Sequence, residues 1–140
     1  VSAPVARGKC SADQHTEFLV APQTDLLPLT LALILEELAR TPATAKIIVF
    51  APTARGAAIA SDVFETPGVA HVLNQFGGSA PFPTFAIHSR RSQSQRVKAT
   101  EGFAKAPRGV LFSSDVAARG VDFPGVSVVL QVGLPASAEQ

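Results

Sequence analysis

Gly109-Val-Leu-Phe-Ser-Ser-Asp-Val-Ala-Ala-Arg-Gly-Val-Asp-Phe-Pro124 joins an apolar run directly to a polar loop. Val110, Leu111 and Phe112 make a short run of the kind that fills a parallel strand covered on both faces. The run stops at Ser113 and Ser114. Beyond them Asp115 is placed to cap a brief helical turn that Gly120 closes, Asp122 projects just past it, and Pro124-Gly125 makes a bend before the next strand. Open α/β sheets keep their ligand-binding loops at the carboxyl ends of parallel strands, which is where this loop falls.

Working outward, strands and helices alternate. Glu17–Ala21 reads as a strand, and Thr24-Asp25 offers an N-cap for a helix carrying Leu31, Ile34, Leu35 and Leu38 to about Arg40, where Thr41-Pro42 breaks it. Lys46–Ala51 reads as a fully buried strand and Ala54–Phe64 as an Ala-rich helix. His71–Phe85 is the least regular part, a loop around Gly77-Gly78-Ser79, Pro81 and Pro83 ahead of a strand at Thr84–Ile87. Ser92 followed by Gln95 is a capping-box pattern, and the helix it opens carries Val97, Thr100 and Ala104 on the face that turns Phe103 inward. Strands at Gly109–Phe112 and Ser127–Gln131 follow. The alternation predicts an α/β fold of three layers, a mostly parallel sheet with right-handed crossovers and helices on both faces. Residues 1–16, with no period, read as a flexible linker or approach segment, and 17–140 as one domain.

Composition narrows the class. With 140 residues there is no room for a second large domain. Net charge is +1, yet six of the twelve Lys and Arg residues (Arg90, Arg91, Arg96, Lys98, Lys105, Arg108) lie between His88 and Arg108, where the only acid is Glu101. Such a run is either a solvated helix face or a phosphate-binding patch. The single cysteine, Cys10, cannot form an internal disulfide, which fits a reducing, intracellular compartment. The most apolar stretch, Leu26–Leu35, is about half the twenty residues of a membrane span, so no membrane partner is expected. One Cys and three scattered His give no metal-site spacing. The absence of Trp and Tyr argues against base stacking and for reading of a nucleic-acid backbone.

Three motifs carry a family resemblance. Ser113-Ser-Asp-Val-Ala-Ala-Arg-Gly-Val-Asp-Phe-Pro124 resembles motif V of the DEAD-box RNA helicases. Ile47-Ile-Val-Phe-Ala-Pro-Thr53 resembles motif IV. His88-Ser-Arg-Arg-Ser-Gln-Ser-Gln-Arg96, with Phe103 seven residues on, resembles motif IVa, usually H-G-x-x-x-Q-x-x-R. They stand in the family's order, and the resemblance runs from about Glu17 to Gln140. It implies the second RecA-like lobe of an ATP-dependent RNA helicase, which closes with a first lobe on ATP and single-stranded or locally unwound RNA. Phe-Ala-Pro-Thr in motif IV, Val-Asp-Phe-Pro in motif V and the Leu-Gln-Val-Gly-Leu-Pro that follows look like a fungal mitochondrial branch of general RNA chaperones, which implies a mitochondrial location.

The resemblance also assigns roles. Thr53, at a strand-to-helix junction, is either a simple helix cap or an RNA-backbone ligand, and the family position implies the latter. Arg96, near the positive end of a helix, is unfavourable there without an anion, and the resemblance makes it an RNA-phosphate ligand. Ser89, where the family has Gly, would help through its backbone. Ser114 keeps the hydroxyl of the usual Thr and so keeps an RNA contact. Asp122 is either a turn residue or the carboxylate that reaches the ribose of ATP, and Arg119 with Gly120 belongs to the network joining the RNA and ATP sites. A Ser114, His88 and Asp115 hydrolase fails for want of a G-x-S-x-G elbow.

The 140 residues contain no G-x-x-x-x-G-K-[S/T] phosphate loop and no D-E-A-D box. The domain is read as truncated before motif VI, with the arginine finger expected beyond Gln140, so no catalytic residue is assigned and these residues alone are expected not to turn over ATP. ATP with Mg2+ would be bound mainly by the first lobe. Two competing readings are a non-catalytic RNA-binding module and a related superfamily 2 lobe that translocates on DNA.

Overall fold

The computed structural model describes residues 6–10, 16–76, 81–114 and 123–133. Its centre is a four-stranded sheet of β3 (Lys46–Ala51), β4 (Thr84–Ile87), β5 (Gly109–Ser114) and β6 (Val128–Gln131). The strand order is β4-β5-β3-β6 and every pairing is parallel, so all four carboxyl ends lie along one edge.

The side-chain alternation of β3 and β5 explains why their sequences are apolar without interruption. Ile47, Val49, Val110 and Phe112 face one way and pack with Ile34 and Leu38 of α1 (Leu26–Arg40), Ala60 and Phe64 of α2 (Ala54–Phe64) and Leu73 of α3 (Pro67–Phe76). Ile48 and Leu111 face the other way and pack with Ile87, Phe123 and Phe103, the last from α4 (Gln93–Lys105). A strand buried on both faces needs apolar residues at every position. The expected three layers, helices on both faces of a parallel sheet, are present.

Local chemistry sets the ends of the elements. Ser92 caps α4: its Oγ accepts from the Gln95 N–H at 3.2 Å while the Gln95 side chain accepts from the Ser92 N–H at 2.9 Å, a complete capping box. Gly109 opens β5 at φ +149°, and a β-carbon there would come within 3.0 Å of the Pro83 carbonyl oxygen, so a side chain would be strained and crowded at once. At the amino end of the sheet Lys46 is buried and donates to the Ala104 carbonyl at 3.2 Å, close to the end of α4 and above the Phe103 ring. Burial lowers its pKa.

Several expectations need correction. Residues 6–10 are not without structure: β1 (Ala6–Cys10) pairs antiparallel with β2 (Thr16–Val20), from Ala6 opposite Val20 to Cys10 opposite Thr16. Main-chain bonds supply what the side-chain pattern does not advertise. Asp25 occupies the N-cap of α1 without a side-chain bond, because the turn closed by Asp25 N–H and the Pro22 carbonyl has already brought its backbone into the helical region. The segment expected to be irregular from His71 is helical through Phe76, with Leu73 fully buried. β5 continues through Ser113 and Ser114, both buried, rather than stopping before them. Val97 is 44% exposed and does not share the face of Phe103, since six residues turn a helix to about 120° short of two full turns.

Candidate nucleic-acid interface at the carboxyl edge of the sheet

In the parallel register Ala51 stands beside Ser114, and Ile87 beside Ser113. The chain therefore leaves three neighbouring strands at one level, through Pro52-Thr53 from β3, Ser114 from β5 and His88-Ser89 from β4. Three of the residues singled out in the sequence are brought together by this register alone.

Thr53 is exposed and is the N-cap of α2, its Oγ1 accepting from the Gly56 N–H at 3.0 Å. The cap uses the oxygen as acceptor and leaves the hydroxyl proton for an outside acceptor. A β-carbon on Gly56 would lie 3.2 Å from that Oγ1 and 3.4 Å from the Ala51 Cβ, so glycine is what lets the helix start this close to Thr53. Ser114 is buried to 6% exposure, and the Ser113 hydroxyl donates to its carbonyl at 3.0 Å. Ser89 is exposed in a turn closed by the Arg91 N–H and the His88 carbonyl at 3.1 Å. Arg91 also reaches Glu65, at 4.0 Å, just beyond the end of α2.

Arg96 is the fourth residue of α4. Its Nε is buried without a hydrogen-bond acceptor among the described residues. It lines an open groove with Ile87, Gln93, Val97, Thr100 and Glu101. A cation within the first turns of a helix, with a buried donor unmet, is matched in both charge and hydrogen bonding by an anion.

His88, just past the end of β4, is 3% exposed and neither ring nitrogen has a partner among the described residues. Burial lowers its pKa, and Arg91 and Arg90 lower it further against an opposing pull from Asp62. Gln93, the glutamine of the H-G-x-x-x-Q-x-x-R pattern, lies three residues before Arg96 on the same wall of the groove, a neighbour that the motif spacing alone could have pointed to. The basic run divides by location. Arg108 is engaged elsewhere, donating to the Pro42 and Pro81 carbonyls at 3.0 and 3.2 Å and lying over Phe82, while Arg90, Arg91 and Arg96 remain near the carboxyl edge. Asp122, Arg119 and Gly120, with Asp115, lie outside the described residues. The Pro124-Gly125 bend is present, with Gly125 at φ +76°. Among the described residues no three His, Cys, Asp or Glu side chains converge as metal ligands, and no helix is long and apolar enough to cross a membrane.

The family model described as the helicase conserved C-terminal domain matches residues 30–140. The chain belongs to that family. This helicase domain is 44% identical over 109 residues, 78% of the chain, to the mitochondrial ATP-dependent RNA helicase MSS116 of Phaeosphaeria nodorum, of which it spans 18%. Among solved structures it superimposes on the DEAD-box helicase domain 2 of Mss116p bound to an RNA duplex, with a TM-score of 0.66 and 27% identity, covering 82% of this chain and 41% of that one. It also matches Mss116p bound to single-stranded RNA and AMP-PNP, with a TM-score of 0.65 and 25% identity, covering 81% of this chain and 20% of that one. The chain spans about a fifth of the curated relative's length and less than half of either solved chain.

Proposed function

We propose that this lobe binds the sugar-phosphate backbone of RNA along the carboxyl edge of its sheet, within an ATP-dependent helicase that opens short duplexes. The observation that carries the reading is the row of Thr53, Ser114 and Ser89 at the carboxyl ends of three adjacent parallel strands, continued by Arg96 with its Nε unpartnered among the described residues. Such a row follows a strand by its phosphates and takes no account of base identity, as a helicase acting on many sequences requires. Thr53 and Ser114 give neutral hydroxyl bonds, Ser89 helps from the turn before α4, and Arg96 provides a charge-assisted bond to a phosphate.

ATP is the substrate of the complete enzyme. Asp122 accepts from the ribose of ATP, and Arg119 with Gly120 links that contact to the RNA row, so that closure of the lobes on ATP also tightens the grip on RNA. Mg2+ would neutralise the phosphates of ATP and belongs to the carboxylates of the first lobe. The mitochondrial names of relatives support a mitochondrial location for this protein.

RNA-stimulated ATP hydrolysis by the full-length protein tests the proposal. Arg96→Ala should raise the RNA concentration for half-maximal stimulation by about tenfold, the effect of losing a charged hydrogen bond. Unchanged stimulation would exclude Arg96 from the RNA site.

A further inference from the structure

The groove beside Arg96 has a volume of about 280 Å3 and is lined by Ile87, Gln93, Arg96, Val97, Thr100 and Glu101. Ile87 ends β4, the edge strand, and the other five residues form a single stripe along α4, at i, i+3, i+4, i+7 and i+8. The groove therefore opens where a nucleic-acid strand running from Thr53 past Ser114 and Ser89 next arrives. Its lining combines three chemistries. Ile87 and Val97 are apolar, and Arg96 presents a buried donor with no acceptor among the described residues. Glu101 is an exposed carboxylate for which no described residue forms an ion pair.

Glu101 is the informative member. Every other polar group assigned to this edge is able to donate to a phosphate, whereas an ionised carboxylate only accepts and repels one. Beside a phosphate path what it can take from the ligand is a donor, and the donor a sugar-phosphate backbone carries is the ribose 2′-hydroxyl. Five residues of helix separate Arg96 from Glu101 by about 7.5 Å along the axis, which accommodates a phosphate at one end and the adjoining sugar at the other. Thr100 is already engaged, its hydroxyl donating to the Arg96 carbonyl at 2.8 Å. We propose that the groove seats one ribose, with Arg96 on its phosphate, Ile87 and Val97 against its carbon face and Glu101 accepting from its 2′-hydroxyl, so that Glu101 selects RNA over DNA. This rests on the backbone-binding reading above.

The test is fluorescence anisotropy of the chain at low salt with single-stranded oligouridine, its 2′-O-methyl form and oligodeoxyuridine. The unaltered chain should favour the 2′-hydroxyl form over both others. Glu101→Ala should reduce that preference about tenfold, with no change in the salt dependence, because no cationic contact is removed. Arg96→Ala should weaken all three probes together. An unchanged RNA-to-DNA ratio in Glu101→Ala would overturn the proposal, including the case in which all three probes shift together, as simple repulsion would have it. If Arg96→Ala changes no probe, the backbone reading itself fails; if it weakens all three and Glu101→Ala leaves the ratio unchanged, only the ribose assignment fails.

Discussion

The rings of Phe103 and Phe123 meet edge to face, with centroids 5.1 Å apart and planes at 79°. Phe103 comes from α4 and is fully buried; Phe123 follows directly on the segment that contains Arg119, Gly120 and Asp122. The pair thus anchors the downstream end of that segment to the helix that carries Arg96, while buried Ser114 anchors its upstream end. Phe103 also meets Phe85 edge-on at 5.7 Å, so one ring joins β4, α4 and the return to β6. Phe103→Ala should therefore destabilise the chain by about 3–5 kcal/mol, the usual loss for a buried phenyl ring. Urea titration measures it, and a loss below about 1 kcal/mol would mean that the ring is not a shared anchor.

His88 gives a pH dependence whose sign is fixed. Its folded pKa lies below the ordinary 6.5 because of burial first, then Arg91 and Arg90. The unfolded chain therefore takes up a proton at a higher pH than the folded one. Stability is full above about pH 6.5 and falls as the pH drops through that value toward the folded pKa. Denaturation midpoints between pH 7.5 and 5.5 should decline for the unaltered chain and decline less for His88→Gln. An identical decline in both would assign the effect to other groups.

The sheet was readable because burial on both faces leaves a plain mark, the unbroken apolar runs of β3 and β5. The two serines that extend β5 left no such mark. Ser113 is satisfied by the neighbouring Ser114 carbonyl, a bond that a hydropathy pattern does not reveal. The helix Pro67–Phe76 carried apolar residues at Val69, Val72, Leu73 and Phe76, but the glycines and prolines after it drew the segment into the loop. Arg108 counted as one of a basic run and proved to bond two carbonyls distant in sequence. The positions of Thr53 and Ser114 at strand ends were legible because motif and strand end coincide, and that of Arg96 because the capping box marks where α4 begins. The groove with Glu101 was not, since it exists only where Ile87 of β4 meets α4.

Asp122 separates the two ligands. With the ribose contact removed, Asp122→Ala in the full-length protein should raise the ATP requirement by about ten- to a hundredfold while leaving nucleotide-free RNA binding nearly unchanged. Steady-state ATP hydrolysis and RNA titration without nucleotide give the two readings. Equal damage to both would make Asp122 a structural turn residue.

Without a phosphate loop or a D-E-A-D box in its sequence, the 140-residue chain alone should show no RNA-stimulated ATP hydrolysis above buffer. Phosphate release in the presence of RNA measures it. Robust turnover abolished by Asp122→Ala would place a complete active site in this lobe.

The most direct test of the RNA-backbone edge is the affinity of the full-length protein for two unrelated single-stranded RNAs across a range of salt, with and without Arg96→Ala. Loss of one phosphate contact predicts an equal weakening on both sequences and a slope of log affinity against log salt smaller by about one. A loss confined to one sequence, or an unchanged slope, would contradict it.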